Sequence, residues 1–353
     1  ETEHRPLPPP RAGGNLAAMG AERIVVLGGS GFLSSHLLPA LRQGRPEAEI
    51  LAVDLREPPP GVPRPEGVEL RTCVDVSSPE ELDPCLEGAD LVINTVGVVS
   101  FSIRAAARVF AANAEIAVAV AHACLRAEVP WLVHVSSVAG VGYDGERGSP
   151  VGESHAFDWQ VARRRRKYYM LSKHEGDLLL GAVGDGLSIT IVCPGLLIGP
   201  GDRVVTPTLA TVARQRLCVV PPGGTNLVDV RDVASGLVAL VDHGPLAGKF
   251  ILGGDNLTYR DLAVRGRRLL GVEGPIFTVP AGIKWPATFA TKIAEAAARK
   301  AMKVTTDNID SAFETRFFSS AEAERAFGYR RRYTLEDTMR DYLSAEGTPL
   351  PEE

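Results

Sequence analysis

The sequence predicts an α/β fold: a doubly wound, mostly parallel sheet with a smaller, discontinuous region toward the C-terminus. Three observations carry this expectation. Strand-like runs at 24–27, 49–53, 68–76, 90–94, 131–135 and 188–193 alternate with stretches of helical pattern. The runs are apolar enough to read as buried on both faces, as strands flanked by helices must be. The first run passes at once into a glycine turn and a helix, the unit from which parallel sheets are wound.

At 353 residues and 45% hydrophobic content the chain can bury a full core, as one large domain or two coupled ones. A formal net charge of −5 gives no global attraction to nucleic acid. The cysteines (Cys73, Cys85, Cys124, Cys193, Cys218) are odd in number and lack metal-type spacing, so they read as reduced thiols of a cytoplasmic protein without a metal site. No apolar run looks long and charge-free enough for an integral membrane helix. Residues 1–20 are rich in Pro and Gly, lack a signal-peptide layout and read as a disordered tail, with Met19 just ahead of the first strand. The expected division is 21–195 for a cofactor-binding domain carrying the catalytic residues and 196–345 for a mixed substrate-binding region. Segments near 226–253 return from it to the main sheet, and 346–353 is a closing tail.

Taken in order, the first run ends in Gly28-Gly29-Ser30-Gly31-Phe32-Leu33-Ser34, and a helical pattern follows from Ser35. Strand, glycine turn and helix together form the setting a dinucleotide-phosphate loop requires. Gly28 permits the tight turn, Gly31 lets the backbone approach a pyrophosphate, and the helix N-terminus favours its charge. Ser34 takes the third small position in place of glycine. The second run ends in Asp54, placed to accept hydrogen bonds from an adenosine ribose and to repel a 2′-phosphate. Arg56 would suit such a phosphate, so NAD is favoured with NADP as the alternative. The plainer reading of Asp54 is a turn opener, since Pro58-Pro59-Pro60-Gly61 follow.

The strand over 68–76 contains Asp75-Val76, and Ser77-Ser78-Pro79-Glu80-Glu81 then opens a helix with a serine cap and first-turn carboxylates. The 90–94 strand ends in the small-residue turn Thr95-Val96-Gly97, and a helix from about 105 to 126 carries Asn113. The 131–135 strand delivers Ser136-Ser137 at its carboxyl end. Ligands of such a sheet lie outside the carboxyl ends of its strands, where the Gly28 loop, Asp54, Gly97 and Ser137 fall. A simple helix cap is the plainer reading of Ser137.

Tyr168-Tyr169-Met170-Leu171-Ser172-Lys173 carries the catalytic expectation. Tyr169 and Lys173 are four apart and share one helix face. An ammonium beside a phenol lowers its pKa from ~10 toward working pH, which makes Tyr169 a candidate general acid and base. Tyr168 has no lysine at that spacing. Asp158-Trp159 and the run Arg163-Arg164-Arg165-Arg166-Lys167 lie in the loop ahead, as a solvated face or as a mouth that recruits an anionic substrate. The 188–193 strand leads to Pro194-Gly195 through Gly199-Pro200, a short strand covers 226–230, and Asp232 opens a helix. Residues 250–252 read as the last sheet strand, and a capped helix starts near Thr258. The 275–302 segment, with Trp285, is expected to pack over a substrate cleft, peripheral contact with a membrane surface being the alternative. Two capped helices, from Ser319 and Thr334, close the pattern.

These motifs, in this order, resemble the extended short-chain dehydrogenase/reductase family within the NAD-dependent epimerase/dehydratase superfamily, from about residue 23 to 342. The resemblance rests on the Gly28 loop, Asp54, Asp75-Val76, Val96-Gly97, Asn113, Ser136-Ser137, Tyr169 with Ser172-Lys173, Pro194-Gly195, 228–234 and Phe327-Gly328-Tyr329. It implies a Rossmann fold, a homodimer, and an enzyme that moves hydride to or from a nicotinamide on a small-molecule substrate. Tyr169 would be general acid and base, Lys173 would lower its pKa and bind the nicotinamide ribose, and Ser137 would hold the reacting oxygen. Gly28, Ser30, Gly31, Phe32, Leu33, Asp54, Arg56, Asp75, Val76, Val96, Gly97, Asn113 and Pro194 would line the cofactor, with Asp75 and Val76 at the adenine.

Val138-Ala139 replace the acidic pair that dehydratases of this family carry after Ser137. Thr225-Asn226 and Cys193 stand where epimerases carry arginines that clamp a substrate pyrophosphate. Asn226-Leu227-Val228-Asp229-Val230 and the apolar 275–302 segment look more like the 3β-hydroxysteroid dehydrogenase and dihydroflavonol-reductase branch. That branch acts on a secondary alcohol or ketone of a bulky apolar scaffold, with Trp159, Trp285 and Phe289 as expected pocket walls. The alternatives are a nucleotide-sugar epimerase using the same Tyr169–Lys173 pair and a non-catalytic NAD(P) sensor.

Overall fold

A computed structural model describes residues 22–59, 65–143, 148–298, 302 and 304–347. The tail expected over 1–20 lies outside the described residues, as do the closing tail from 348 and Pro60-Gly61. The first half runs β1 (Arg23–Leu27), α1 (Ser34–Gly44), β2 (Glu49–Val53), β3 (Val68–Arg71), α2 (Pro79–Leu86), β4 (Leu91–Asn94), α3 (Ala106–Phe110) and α4 (Ile116–Arg126). It continues through β5 (Trp131–Val135), α5 (Val138–Val141), α6 (Trp159–Arg164), α7 (Tyr168–Gly181) and β6 (Ser188–Pro194). The second half holds β7 (Leu196–Ile198), α8 (Val205–Ala213), β8 (Cys218–Val220), β9 (Gly224–Asp229), α9 (Val230–His243), β10 (Gly248–Leu252) and β11 (Asp255–Thr258). Then come α10 (Tyr259–Leu269), β12 (Ile276–Thr278), α11 (Lys284–Ala297), α12 (Thr306–Ala312), α13 (Ala321–Phe327) and α14 (Leu335–Ala345).

The main sheet has the order β10-β6-β5-β4-β1-β2-β3, with every pairing parallel. Strand order reverses between β1 and β4, which opens a crevice at their carboxyl ends. One face is covered by α1 and α9 through Leu37, Leu41, Leu237 and Leu240, the other by α2, α4 and α7 through Leu82, Leu86, Val120 and Leu180. Both interfaces are mainly apolar, which is why the strands read as hydrophobic runs, with His134 and Thr190 buried among them. β10 rejoins the main sheet beside β6, whereas β9 lies in a second sheet between β7 and antiparallel β11.

Several elements depart from expectation for local reasons. β3 stops at Arg71 rather than running to Val76, because Cys73 turns left-handed at φ 62°. The helix expected over 105–126 contains a π turn, Ala111–Glu115, with Asn113 at its centre. By length and composition the run Ile103–Arg126 could cross a membrane, contrary to the sequence reading. Here it is a core helix, with Val109, Ala112, Ala117, Val120, Ala121 and Cys124 buried. The connection ahead of Tyr169, expected as a loop, contains α6, whose first turn is capped by the Asp158 carboxylate accepting from the Val161 N–H at 2.8 Å. The 275–302 segment does not pack its aromatics over a cleft: Trp285 is 75% and Phe289 55% exposed, stacked on each other at 5.8 Å.

Candidate active site

The Gly28 loop leaves β1 with φ 81° at Gly28, and a Cβ there would meet Thr95 Oγ1 at 2.5 Å, so only glycine fits. Thr95 Oγ1 donates to the Leu27 carbonyl at 2.8 Å and lies 3.1 Å from Ser34 Oγ. That contact explains the serine at the third small position: its buried hydroxyl ties α1 to the β4 turn. The N–H groups of Phe32 and Leu33, at the entry of α1, donate to no described residue. Such unpaired donors at a helix start suit a pyrophosphate.

Asp54 closes β2 and binds the loop. Its Oδ2 accepts from the Ser30 N–H and its Oδ1 from the Arg56 N–H, both at 3.0 Å, while Ser30 Oγ donates to the Arg56 carbonyl at 2.7 Å. Each carboxylate oxygen keeps a second acceptor site for a ribose hydroxyl. The turn-opener and ribose readings of Asp54 are therefore compatible. Val74 N–H donates to the Asp54 carbonyl at 3.2 Å, which brings Asp75-Val76 alongside. Asp75 accepts from the Ser77 hydroxyl and N–H, which hold its carboxyl below the usual range. Val76 is buried, Arg56 is exposed, and Phe32 packs edge-on against His36.

At the other end of the crevice, Ser137 caps α5, accepting from the Ala139 N–H at 3.2 Å, and its side chain lies near the Tyr169 phenol, where it favours the charged form. The cap reading of Ser137 holds, and its place at the end of β5 leaves the site reading compatible with it. Tyr169 sits in the first turn of α7 with the Phe101 ring edge-on at 5.6 Å. Lys173, one turn on, is buried; its Nζ donates to the Val135 carbonyl at 3.3 Å and would lie 3.2 Å from a Cβ on Gly97.

Asn113 is placed differently from expectation. Its amide is engaged by Val98 N–H and Val98 carbonyl, both at 2.9 Å, and by Ser172 Oγ at 3.1 Å, and Ser172 donates to the Tyr169 carbonyl. It clamps the β4 turn to α7, and the π turn sets it there. Burial pushes the Tyr169 phenol up, opposed by the Ser137 side chain, and pushes the Lys173 ammonium down, opposed by Asp177. Desolvation thus sets the direction at both groups, and the Lys173 ammonium, which donates to the Val135 carbonyl, is not among the groups that oppose the rise at Tyr169.

Pro194 is buried at the end of β6 in register with Leu252. Cys193 is wholly buried, its thiol pushed up to about 12 by burial. Asn226 is buried as well, with Nδ2 donating to Asn256 Oδ1 at 2.8 Å and Oδ1 accepting from the Gly254 N–H at 2.9 Å. Trp159 packs on Phe157 and His174 with the Arg163 guanidinium 5.0 Å from its ring centre, so it braces the corner between α6 and α7. The cavity next to Phe101, about 280 Å³, is lined instead by Ile103, Arg164, Arg165, Arg166, Lys292 and Asp307, among others.

Two residues absent from the sequence reading flank the Tyr169–Lys173 pair, one on α7 and one on β10. Asp177, buried on α7 four residues beyond Lys173, forms an ion pair with the half-buried Lys249 of β10 at 2.7 Å. The i,i+4 spacing from Lys173 was the available signal for Asp177; nothing local marks Lys249.

A model of the NAD dependent epimerase/dehydratase family matches residues 24–253. The chain is 32% identical over 174 residues to a putative dihydroflavonol 4-reductase of Synechocystis sp., a match covering 47% of this chain and 49%, about half, of that protein. It is 25% identical over 367 residues to 3beta-hydroxysteroid-dehydrogenase/decarboxylase isoform 1 of Arabidopsis thaliana, covering 93% of this chain and 82% of that protein. A solved dTDP-glucose 4,6-dehydratase from Streptomyces venezuelae, with NAD bound, superposes with a TM-score of 0.70 at 19% identity, covering 92% of this chain and 98% of that one. That last likeness concerns the fold alone.

Proposed function

The chain belongs to the NAD dependent epimerase/dehydratase family, and from that premise we propose that it interconverts a secondary alcohol and a ketone on a bulky, largely apolar scaffold. It is an enzyme of the extended short-chain type and its cofactor is NAD. Bound NAD supplies the acceptor or donor of the hydride. The Gly28 loop and α1 would hold its pyrophosphate, Asp54 its adenosine ribose, and Lys173 the second ribose.

The observation that carries the reading is the convergence at the carboxyl ends of the strands of Ser137, whose side chain favours the charged form of the Tyr169 phenol, and of Lys173 one helical turn beyond Tyr169. A substrate oxygen received between the two hydroxyls would exchange its proton with Tyr169 while Ser137 holds its position. The names of the dihydroflavonol 4-reductase and hydroxysteroid dehydrogenase relatives support the apolar scaffold. The engaged Asn226 amide and the buried, neutral Cys193 argue against the epimerase reading, since neither can clamp a diphosphate. The five cysteines are free, four of them buried, which favours a reducing, cytoplasmic setting. Incubation with NAD and a panel of hydroxysteroids and flavanols tests the proposal. Net NADH supports it, product without net NADH moves the assignment to an epimerase, and cofactor binding without any turnover moves it to a sensor.

Two further outcomes are expected. Tyr169 is raised by burial, so at neutral pH the phenol is protonated. Reduction needs that proton and should fall as pH rises through the phenol pKa, whereas oxidation needs the phenolate and should rise. Because the phenol is raised above its ordinary value, profiles of kcat/KM from about pH 6 to about pH 10 should show reduction holding near its plateau while oxidation climbs; a flat oxidative limb would remove Tyr169 as the base. Separately, Asp54→Ala should lower NAD affinity about tenfold relative to NADP, the scale of one charge-assisted hydrogen bond. An unchanged NAD/NADP ratio in dissociation constants would refute the ribose contact.

A further inference from the structure

We propose that the cavity beside Tyr169 receives an oxyanion, a carboxylate or a phosphate ester, carried by the substrate, and that Arg164, Arg166 and Lys292 select for it. This rests on the alcohol–ketone reading of Tyr169 and names the substrate class of that same site.

The cavity adjoins the chemistry. Phe101, one of its walls, packs its ring edge-on against the Tyr169 ring at 5.6 Å. Its other walls come from the end of α6 and the following turn (Arg164, Arg165, Arg166) and from α11 and α12 (Lys292, Glu295, Thr306, Asp307). The cations outnumber the carboxylates, and the carboxylates are already engaged. Glu295 accepts from the Thr306 hydroxyl at 2.5 Å. Asp307 accepts from Ser311 Oγ at 3.2 Å and lies 3.6 Å from the Lys167 ammonium. Arg165 is paired with Glu314.

Arg164, Arg166 and Lys292 form no ion pair with any described residue, and all three are exposed at the cavity rim. Arg166 holds φ at 55°, a region that disfavours residues with a side chain, in the turn three residues ahead of Tyr169. Like charges gathered around a concavity repel one another and draw an anion toward it. Two guanidinium forks and an ammonium match the oxygens of a carboxylate or phosphate, and a wholly neutral scaffold would gain nothing from them. The five-cation run therefore divides: Lys167 and Arg165 belong to the fold, Arg163 lies over Trp159, and Arg164 and Arg166 face the cavity.

The test uses the NADH complex of the full chain and matched probes: hydroxydecanoates with the hydroxyl at successive carbons, their methyl esters, and the corresponding decanediol monophosphates. Calorimetry gives Kd for each, and NADH formation from the NAD complex gives turnover. The best acid or monophosphate is expected to bind at least about tenfold more tightly than its neutral partner at low salt, an advantage that shrinks as salt rises. The larger of the two preferences identifies the oxyanion. In Arg166→Gln/Lys292→Gln the advantage should fall at least about fivefold, with NAD affinity as the check on folding. Equal binding of charged and neutral probes overturns the proposal, as does a preference that the double variant leaves intact. An anion preference without any NADH formation would retain the site and overturn the alcohol–ketone reading, while turnover without preference would do the reverse.

Discussion

In Tyr169→Phe, turnover should fall about 10²- to 10⁴-fold, the usual worth of a positioned proton donor, while NAD binding stays close to that of the parent chain. The hydroxyl is the only atom removed. It forms no hydrogen bond with a described residue, and the ring keeps its edge-on packing with Phe101. The helix is tied elsewhere: Ser172 Oγ donates to the Tyr169 carbonyl and receives the Asn113 amide, neither of which involves the phenol. The cofactor loop and Asp54 are untouched as well. A loss confined to kcat, with Kd for NAD measured by titration, is therefore the expected pattern. Near-normal kcat would show that another group moves the proton, whereas a large loss of NAD affinity would show that the substitution disturbs the crevice itself.

Glu314→Ala should lower stability by about 3–5 kcal/mol, the cost of stranding a buried charge. Lys167, the last of the five cations, is 3% exposed, and its Nζ donates to Glu314 at 2.7 Å and to the Tyr143 hydroxyl at 2.6 Å. Burial alone would depress the ammonium, but Tyr143, Glu314 and Asp307 outweigh it and raise its pKa. Burial alone would likewise raise Glu314, and Lys167 outweighs it, so the carboxyl is held below its ordinary value. A depressed carboxylate contributes stability that is fully present above its unfolded pKa and is lost as pH falls through the folded one. The deficit of Glu314→Ala should accordingly be largest near pH 7 and shrink below about pH 4. Urea unfolding at both pH values reads this out. Equal midpoints at neutral pH would show that the cluster does not hold the segment after α12 against the turn ahead of Tyr169.

The parts of the site that were legible in the sequence are those whose meaning is local. The strand, glycine turn and helix around Gly28 lie within a dozen residues, and Tyr169 and Lys173 are one helical turn apart, so backbone geometry alone brings each set together. Asp54 and Ser137 were legible because strand ends converge once a parallel sheet is granted. The substrate walls were not. Trp285 and Phe289 have the composition of pocket residues, yet α11 turns them outward, and nothing in a helical pattern says which face meets a cleft.

The sequence by itself determined the sheet, the position of the glycine loop and the pairing of Tyr169 with Lys173 on one helix face, because these follow from short-range spacing and from the alternation of buried strands with helices. Only the tertiary structure decided the partners that lie far apart in the chain. It turned Asn113 into a clamp on Ser172, paired Lys167 with Glu314 and Asp177 with Lys249, and left Arg164 and Arg166 at the rim of a cavity beside Tyr169. The physical reason is that a charge run has no intrinsic fate. Whether each cation is neutralised, stacked or left facing a cavity depends on which carboxylates and rings the fold brings within a few ångströms, and that is a property of the packed chain.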